Sequence, residues 1–85
     1  MLKKEIIINS ENGLHIRPAA ILVKTCKKFK SEIFIEYKKK KVNAKSLFKV
    51  QTLGVIQGDK ILLLIEGKDE LEALEQIIKI IKNLK

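Results

Sequence analysis

Between the apolar run Ile6-Ile7-Ile8 and the stripe that opens at Ile16, the hydrophobic period changes from about two residues to about 3.6, and the chain's only histidine, arginine and proline stand at that change, as His15, Arg17 and Pro18. A strand must therefore hand over to a helix within a few residues. His15 is placed as the residue that caps the helix. Pro18 then occupies the third helical position, where an N–H would have no intrahelical partner and the fixed φ of proline suits a helix start. Gly13 supplies a tight or positive-φ turn just ahead of the histidine.

The same reading of period and punctuation divides the rest of the chain. A first strand is expected over about Leu2 to Ile8, with Ile6 and Ile8 on one face. The helix from Ile16 to about Lys28 buries Ala19, Leu22, Val23, Cys26 and Phe29 at three- and four-residue spacing. Strands over Glu32 to Tyr37 and about Lys40 to Asn43 flank a lysine-rich turn, whose charges discourage edge-to-edge pairing. Ser46 caps a short helix over Leu47 to Leu53, with Gly54 as its C′ residue. A central strand spans Lys60 to Glu66. Asp69 opens the last helix, with Glu72 placed for a capping box and Leu71, Leu74, Ile77, Ile78, Ile81 and Leu84 as the buried stripe. Segregated helices and hairpin-linked strands predict an α+β sandwich with helices over one sheet face. If Ile6, Ile8, Ile33, Ile35, Ile61, Leu63 and Ile65 face the helices, then Ile7, Phe34, Leu62 and Leu64 face away. Those four predict an exposed apolar patch and weak self-association through it.

The chain of 85 residues, 33% charged and 46% hydrophobic, is read as one domain over 1–85 with a modest core. No apolar run reaches the roughly 20 residues of a membrane span. Met1 to Glu5 lack the features of a signal peptide, and the single cysteine, Cys26, falls on a core stripe, so the expected location is cytoplasmic. The net charge of +8 suits nucleic acid, but equally an acidic or phosphorylated protein. Seventeen of the eighteen cations are lysine; base reading and phosphate forks fall to arginine, and only Arg17 is available. The four aromatics and four glycines form neither an RNA-stacking pattern nor a G-x-x-G loop, so no nucleic-acid partner is expected.

A helix start attracts anions through free N–H groups and the positive end of the dipole. A nucleophilic imidazole and a permanent guanidinium at that place predict a phosphoryl group accepted on His15, with Arg17 stabilising it. Arg17, Ala20, Lys24 and Lys27 share a helix face beginning beside His15; periodicity alone leaves it either a solvated basic edge or a surface that steers an acidic partner. No metal site, nucleotide-binding glycine loop or cofactor is expected.

Three segments, Gly13-Leu14-His15-Ile16-Arg17-Pro18-Ala19, Ala44-Lys45-Ser46-Leu47-Phe48-Lys49 and Gln51-Thr52-Leu53-Gly54, resemble the HPr family, the histidine-containing phosphocarriers of the bacterial phosphoenolpyruvate-dependent sugar phosphotransferase system. The resemblance runs over essentially the whole chain. It implies an open-faced β-sandwich of four antiparallel strands with three helices on one side, in the order βαββαβα. It further implies that His15 takes a phosphoryl group on Nδ1 from phosphorylated Enzyme I and gives it to the A domain of a sugar-specific Enzyme II, the chain having no turnover of its own. Carried over position by position, the partner surface comprises Leu14, Arg17, Ala20, Lys24, Lys27, Leu47, Phe48, Lys49, Gln51 and Thr52. Ser46 is phosphorylated by a kinase in one branch of the family. That branch follows the serine with Ile-Met-Gly, whereas Leu47-Phe48-Lys49 stands here, so Ser46 is read chiefly as a helix cap. A regulatory family member serving nitrogen or carbon control is the neighbouring alternative.

Overall fold

The computed structural model describes residues 1–84. Its elements are β1 (Leu2–Ile7), α1 (Ile16–Cys26), β2 (Glu32–Tyr37), β3 (Lys40–Asn43), α2 (Leu47–Gln51), β4 (Lys60–Glu66) and α3 (Glu70–Asn83). The strands form one antiparallel sheet in the order β1-β4-β2-β3. Strands β2, β3 and β4 match the sequence-based bounds.

β4 is central because its neighbours bring complementary alternation. Ile61, Leu63 and Ile65 point into the core with Ile33 and Ile35 of β2, and Ile8 closes the layer just beyond β1. Leu22 and Cys26 of α1, Val50 of α2, and Ala73, Ile77 and Ile81 of α3 cover this face. Two-residue alternation on the strands thus meets 3.6-residue stripes on the helices across one apolar layer. Burial pushes the Cys26 thiol up to about 12, so it behaves as a small hydrophobe rather than a nucleophile.

Several expectations are corrected. α1 ends at Cys26 rather than near Lys28, because Lys28 N and Phe29 N donate to Thr25 O and Cys26 O at 3.1 and 3.2 Å, a tighter turn that stops the helix. α2 ends at Gln51 with Thr52 as its C-cap, so Gly54 lies one position beyond C′; its φ of +73° still turns the chain. In α3, Leu71 is 70% exposed. At 100° per residue it stands about 120° from Ile77, whereas Ala73 and Ile81 lie within about 40°.

The capping box at α3 does not form. The Asp69 side chain reaches across to the α1–β2 loop, accepting from Lys30 N at 2.8 Å, from Ser31 N at 2.9 Å and from Ser31 Oγ. It is therefore turned away from its own helix, and Glu70 rather than Glu72 closes the preceding turn by accepting from Gly67 N at 3.1 Å. A similar clasp joins β2 to the loop before β4: the Tyr37 hydroxyl donates to Asp59, which also accepts from Ile56 N at 3.0 Å.

These bonds favour the ionised acids. The Ser31 hydroxyl first, then the Lys30 amide, holds Asp69 below the ordinary 3.8, and the Tyr37 hydroxyl followed by the Ile56 amide does so for Asp59. A lowered folded-state pKa gives stability that is complete above the unfolded value and lost as pH falls through the folded one. Thermal unfolding followed by circular dichroism should show a flat Tm above about pH 5 and a decline below about pH 4. Asp69→Asn should flatten that acid limb.

The open sheet face is less apolar than expected. Leu64 is only 6% exposed, flanked in register by Lys3 of β1 and Phe34 of β2. Phe34 and Leu62 are half-buried, and Lys41 Nζ sits 4.7 Å over the Phe34 ring. Ile7, 51% exposed, is the one residue of the four that stands free.

Candidate functional site

Residues 8–19 build the site from backbone bonds. Ile8 is held by the later loop: its amide donates to Asp59 O at 2.8 Å, and its carbonyl accepts from Gly58 N at 2.7 Å. Gly13 N donates to Ser10 O and His15 N to Asn12 O, so the chain winds tightly before the helix. Gly13 has φ +57° and passes so close to the same loop that a Cβ would meet Val55 O at 2.2 Å. Leu14 N then donates to Val55 O at 3.0 Å. The loop carrying the histidine is in effect sewn to residues 55–59.

His15 is the N-cap, extended at φ −78° and ψ −165°, and its carbonyl accepts from Ala19 N at 2.9 Å. The imidazole makes no capping hydrogen bond and is exposed. Pro18 has no N–H to offer. The amides of Ile16 and Arg17 have no acceptor among the described residues. Two donors and the positive end of an 11-residue helix therefore lie open beside the imidazole. A hollow of about 350 Å³ lined by Asn12, His15, Ile16, Arg17 and Pro18 occupies this corner, and no carboxylate lines it. Such an arrangement can receive a dianionic group on the ring and hold its oxygens with amides and guanidinium. Among the described residues no group of three or more His, Cys, Asp or Glu side chains is placed to hold a metal ion.

Along α1, Arg17, Lys24 and Lys27 are exposed and Ala20 is half-buried. α2 packs beside α1, and Lys45 fastens its approach by donating from Nζ to Phe29 O at 2.7 Å. Ser46 caps α2, its Oγ accepting from Lys49 N at 3.4 Å. Leu47, Lys49 and Thr52 are exposed, Gln51 is half-buried, and Phe48 stands 70% exposed. A bare phenylalanine ringed by lysines resembles the aromatic anchor of a protein interface rather than a core residue left over.

Leu14 departs from the surface assigned to it. It is 2% exposed and belongs to the core. The Leu14–Val55 bond turns it inward, so it supports the loop from below and offers nothing to a partner. Sequence reasoning misses three exposed isoleucines: Ile16 at the head of α1, Ile21 on the face between Arg17 and Lys24, and Ile56 beside Gly13. Ile21 is legible in principle, since it lies four residues after Arg17 on the basic stripe. Ile56 sits between Gly54 and Gly58, where no periodic stripe claims it.

Known proteins share this geometry. The family described as the PTS HPr component phosphorylation site matches residues 2–83. The phosphocarrier protein HPr of Buchnera aphidicola subsp. Schizaphis graminum is 54% identical over 84 residues, covering 99% of each chain. The crystal structure of HPr-C-His from Thermoanaerobacter tengcongensis superposes with a TM-score of 0.94 at 45% identity, over 96% of this chain and 92% of that one. The HPr dimer from the same organism gives a TM-score of 0.77 at 47% identity over 93% of each. Four antiparallel strands carrying three helices in this order, with similarity along nearly the whole length, place the chain in the HPr family, the phosphocarriers of the phosphotransferase system.

Proposed function

We propose that His15 is the phosphoryl acceptor, that phosphorylated Enzyme I is its donor, and that the A domain of a sugar-specific Enzyme II is its recipient. The observation that carries this reading is the exposed imidazole beside the open amides of Ile16 and Arg17. In the first transfer, Nδ1 of neutral His15 attacks phosphorus as the donor's bond to phosphorus breaks. The equatorial oxygens, where charge collects in phosphoryl transfer, meet the two amides and the Arg17 guanidinium. The second transfer reverses these steps with the recipient's nucleophile. The chain supplies positioning and charge and returns unchanged, as a carrier does.

Docking on this reading uses Ala20, Lys24, Lys27, Leu47, Phe48, Lys49, Gln51 and Thr52, with Ile16, Ile21 and Ile56 added and Leu14 removed. Ser46 serves as the cap of α2; phosphorylation there would set a dianion among Leu47 and Phe48 and weaken docking. Among the described residues no helix is long and apolar enough to cross a membrane, and we place the relay in the cytoplasm. Weak self-association through the open sheet face belongs to this reading in reduced form, with Ile7 as its exposed apolar residue; the relative from Thermoanaerobacter tengcongensis is described as a dimer.

Incubation with phosphoenolpyruvate and Enzyme I, followed by 31P NMR and peptide mapping, tests the assignment. An acid-labile, base-stable phosphoryl group at His15 is expected. Phosphate at another residue would overturn the assignment to His15, and tight, salt-sensitive RNA binding without phosphoryl uptake would favour a nucleic-acid role.

A further inference from the structure

The β2–β3 hairpin closes on the Tyr37–Lys40 pair, leaving Lys38 and Lys39 as its two central residues. Both have positive φ, +49° and +66°. A two-residue hairpin of this type favours Asn-Gly, because a Cβ at positive φ crowds its own backbone. The chain has four glycines, and Gly13, Gly54, Gly58 and Gly67 all stand at positive φ. Among the described residues, the hairpin alone has side-chain-bearing residues at positive φ, and both are lysine. Backbone strain kept at a surface turn points to a use for the side chains.

The surroundings of the turn indicate that use. Lys40 and Lys41 extend the run to four consecutive lysines. A hollow of about 490 Å³ lies between β3 and α2, bordered by Lys40, Phe48, Lys49 and Thr52. The ammonium groups of Lys39, Lys40 and Lys49 form no ion pair among the described residues. Lys38 and Lys41 are occupied, lying 5.2 Å from the Tyr37 ring centroid and 4.7 Å from that of Phe34, and Lys38 also acts electrostatically on Asp59. The lysine hairpin is thus continuous with the α2 end of the docking surface, and its Lys39 and Lys40 carry charge that no acidic side chain pairs among the described residues.

We propose that the Lys38–Lys41 hairpin is a second electrostatic arm of that surface, and that it receives an acidic segment of the protein exchanging a phosphoryl group with His15. The inference rests on the carrier reading of His15. A rim charge of this kind acts mainly on encounter, so its effect should be on association rate and should fade with salt.

The decisive variant is Lys38→Asn/Lys39→Gly in the full chain, because strain relief and charge loss push in opposite directions. Tm should rise by roughly 5 °C. The second-order rate of phosphoryl uptake from Enzyme I and phosphoenolpyruvate should fall about threefold to tenfold at low salt and match the parent near 0.5 M. A more stable protein that is slower only at low salt excludes misfolding as the cause. Uptake at the parent rate at low salt would overturn the inference, as would unchanged uptake accompanied by dimerisation through the freed β3 edge. Lost adsorption to phosphatidylglycerol vesicles with uptake unchanged would overturn it in favour of a membrane surface. If the parent itself takes up no phosphoryl group, the carrier reading has failed and this inference falls with it.

Discussion

His15→Ala should abolish phosphoryl uptake from Enzyme I while leaving the fold as it is. The loss is complete because the chain has no second histidine to accept the group. The fold is spared because the imidazole is exposed and makes no capping hydrogen bond; the His15 carbonyl, which starts α1, remains in alanine. Exposed substitutions of this kind stay within about 0.5 kcal/mol, so Tm should move by no more than roughly 4 °C. Radiolabel from phosphoenolpyruvate and a thermal melt on the same preparation make the check. Residual labelling that is stable to acid would mean that another residue carries the phosphate.

Gly13→Ala should have the reverse profile, a severe loss of stability with the imidazole still present. Two costs coincide there. A side chain at φ +57° is strained, and its Cβ would lie 2.2 Å from Val55 O and 2.7 Å from Ile56 Cα. Both obstacles are backbone, held by the Asp59–Ile56 and Asp59–Ile8 bonds, so neither can swing aside. Relief requires parting the Leu14–Val55 bond and drawing Leu14 out of the core. About 3 kcal/mol or more is expected, lowering Tm by roughly 15 °C. Gly54→Ala isolates the first cost, since φ there is +73° and nothing lies within 4 Å. It should cost about 1–2 kcal/mol. Equal melting points for the two variants would show that the close approach at Gly13 carries no weight.

Period and punctuation are enough to locate every strand and helix of the described residues, because each element buries one face against a common layer. They fail where a side chain serves an element other than its own. Asp69 looks like a helix cap in sequence, yet its carboxylate is spent on Lys30 and Ser31, nearly forty positions away. Leu64 alternates outward, but a central strand is shielded by neighbours on both sides, and Lys3 and Phe34 supply the shielding. At the site, the capping position of His15 follows from the period change and from Pro18, both local signals. The inward turn of Leu14 does not, because it depends on Val55, which no spacing within residues 13–20 could announce. Positive φ at Lys38 and Lys39 is equally hidden, since local preference would put glycine, asparagine or aspartate there rather than lysine.

The pairing of β1 with β4, Leu2 against Ile65, has a consequence for how this molecule is born. The first strand leaves the ribosome long before the strand that completes its hydrogen bonds has been translated. Loop-closure entropy makes that joining costly until the intervening helices have condensed. β1 has no other strand to pair with, so it can take its place in the sheet only after β4 has been made.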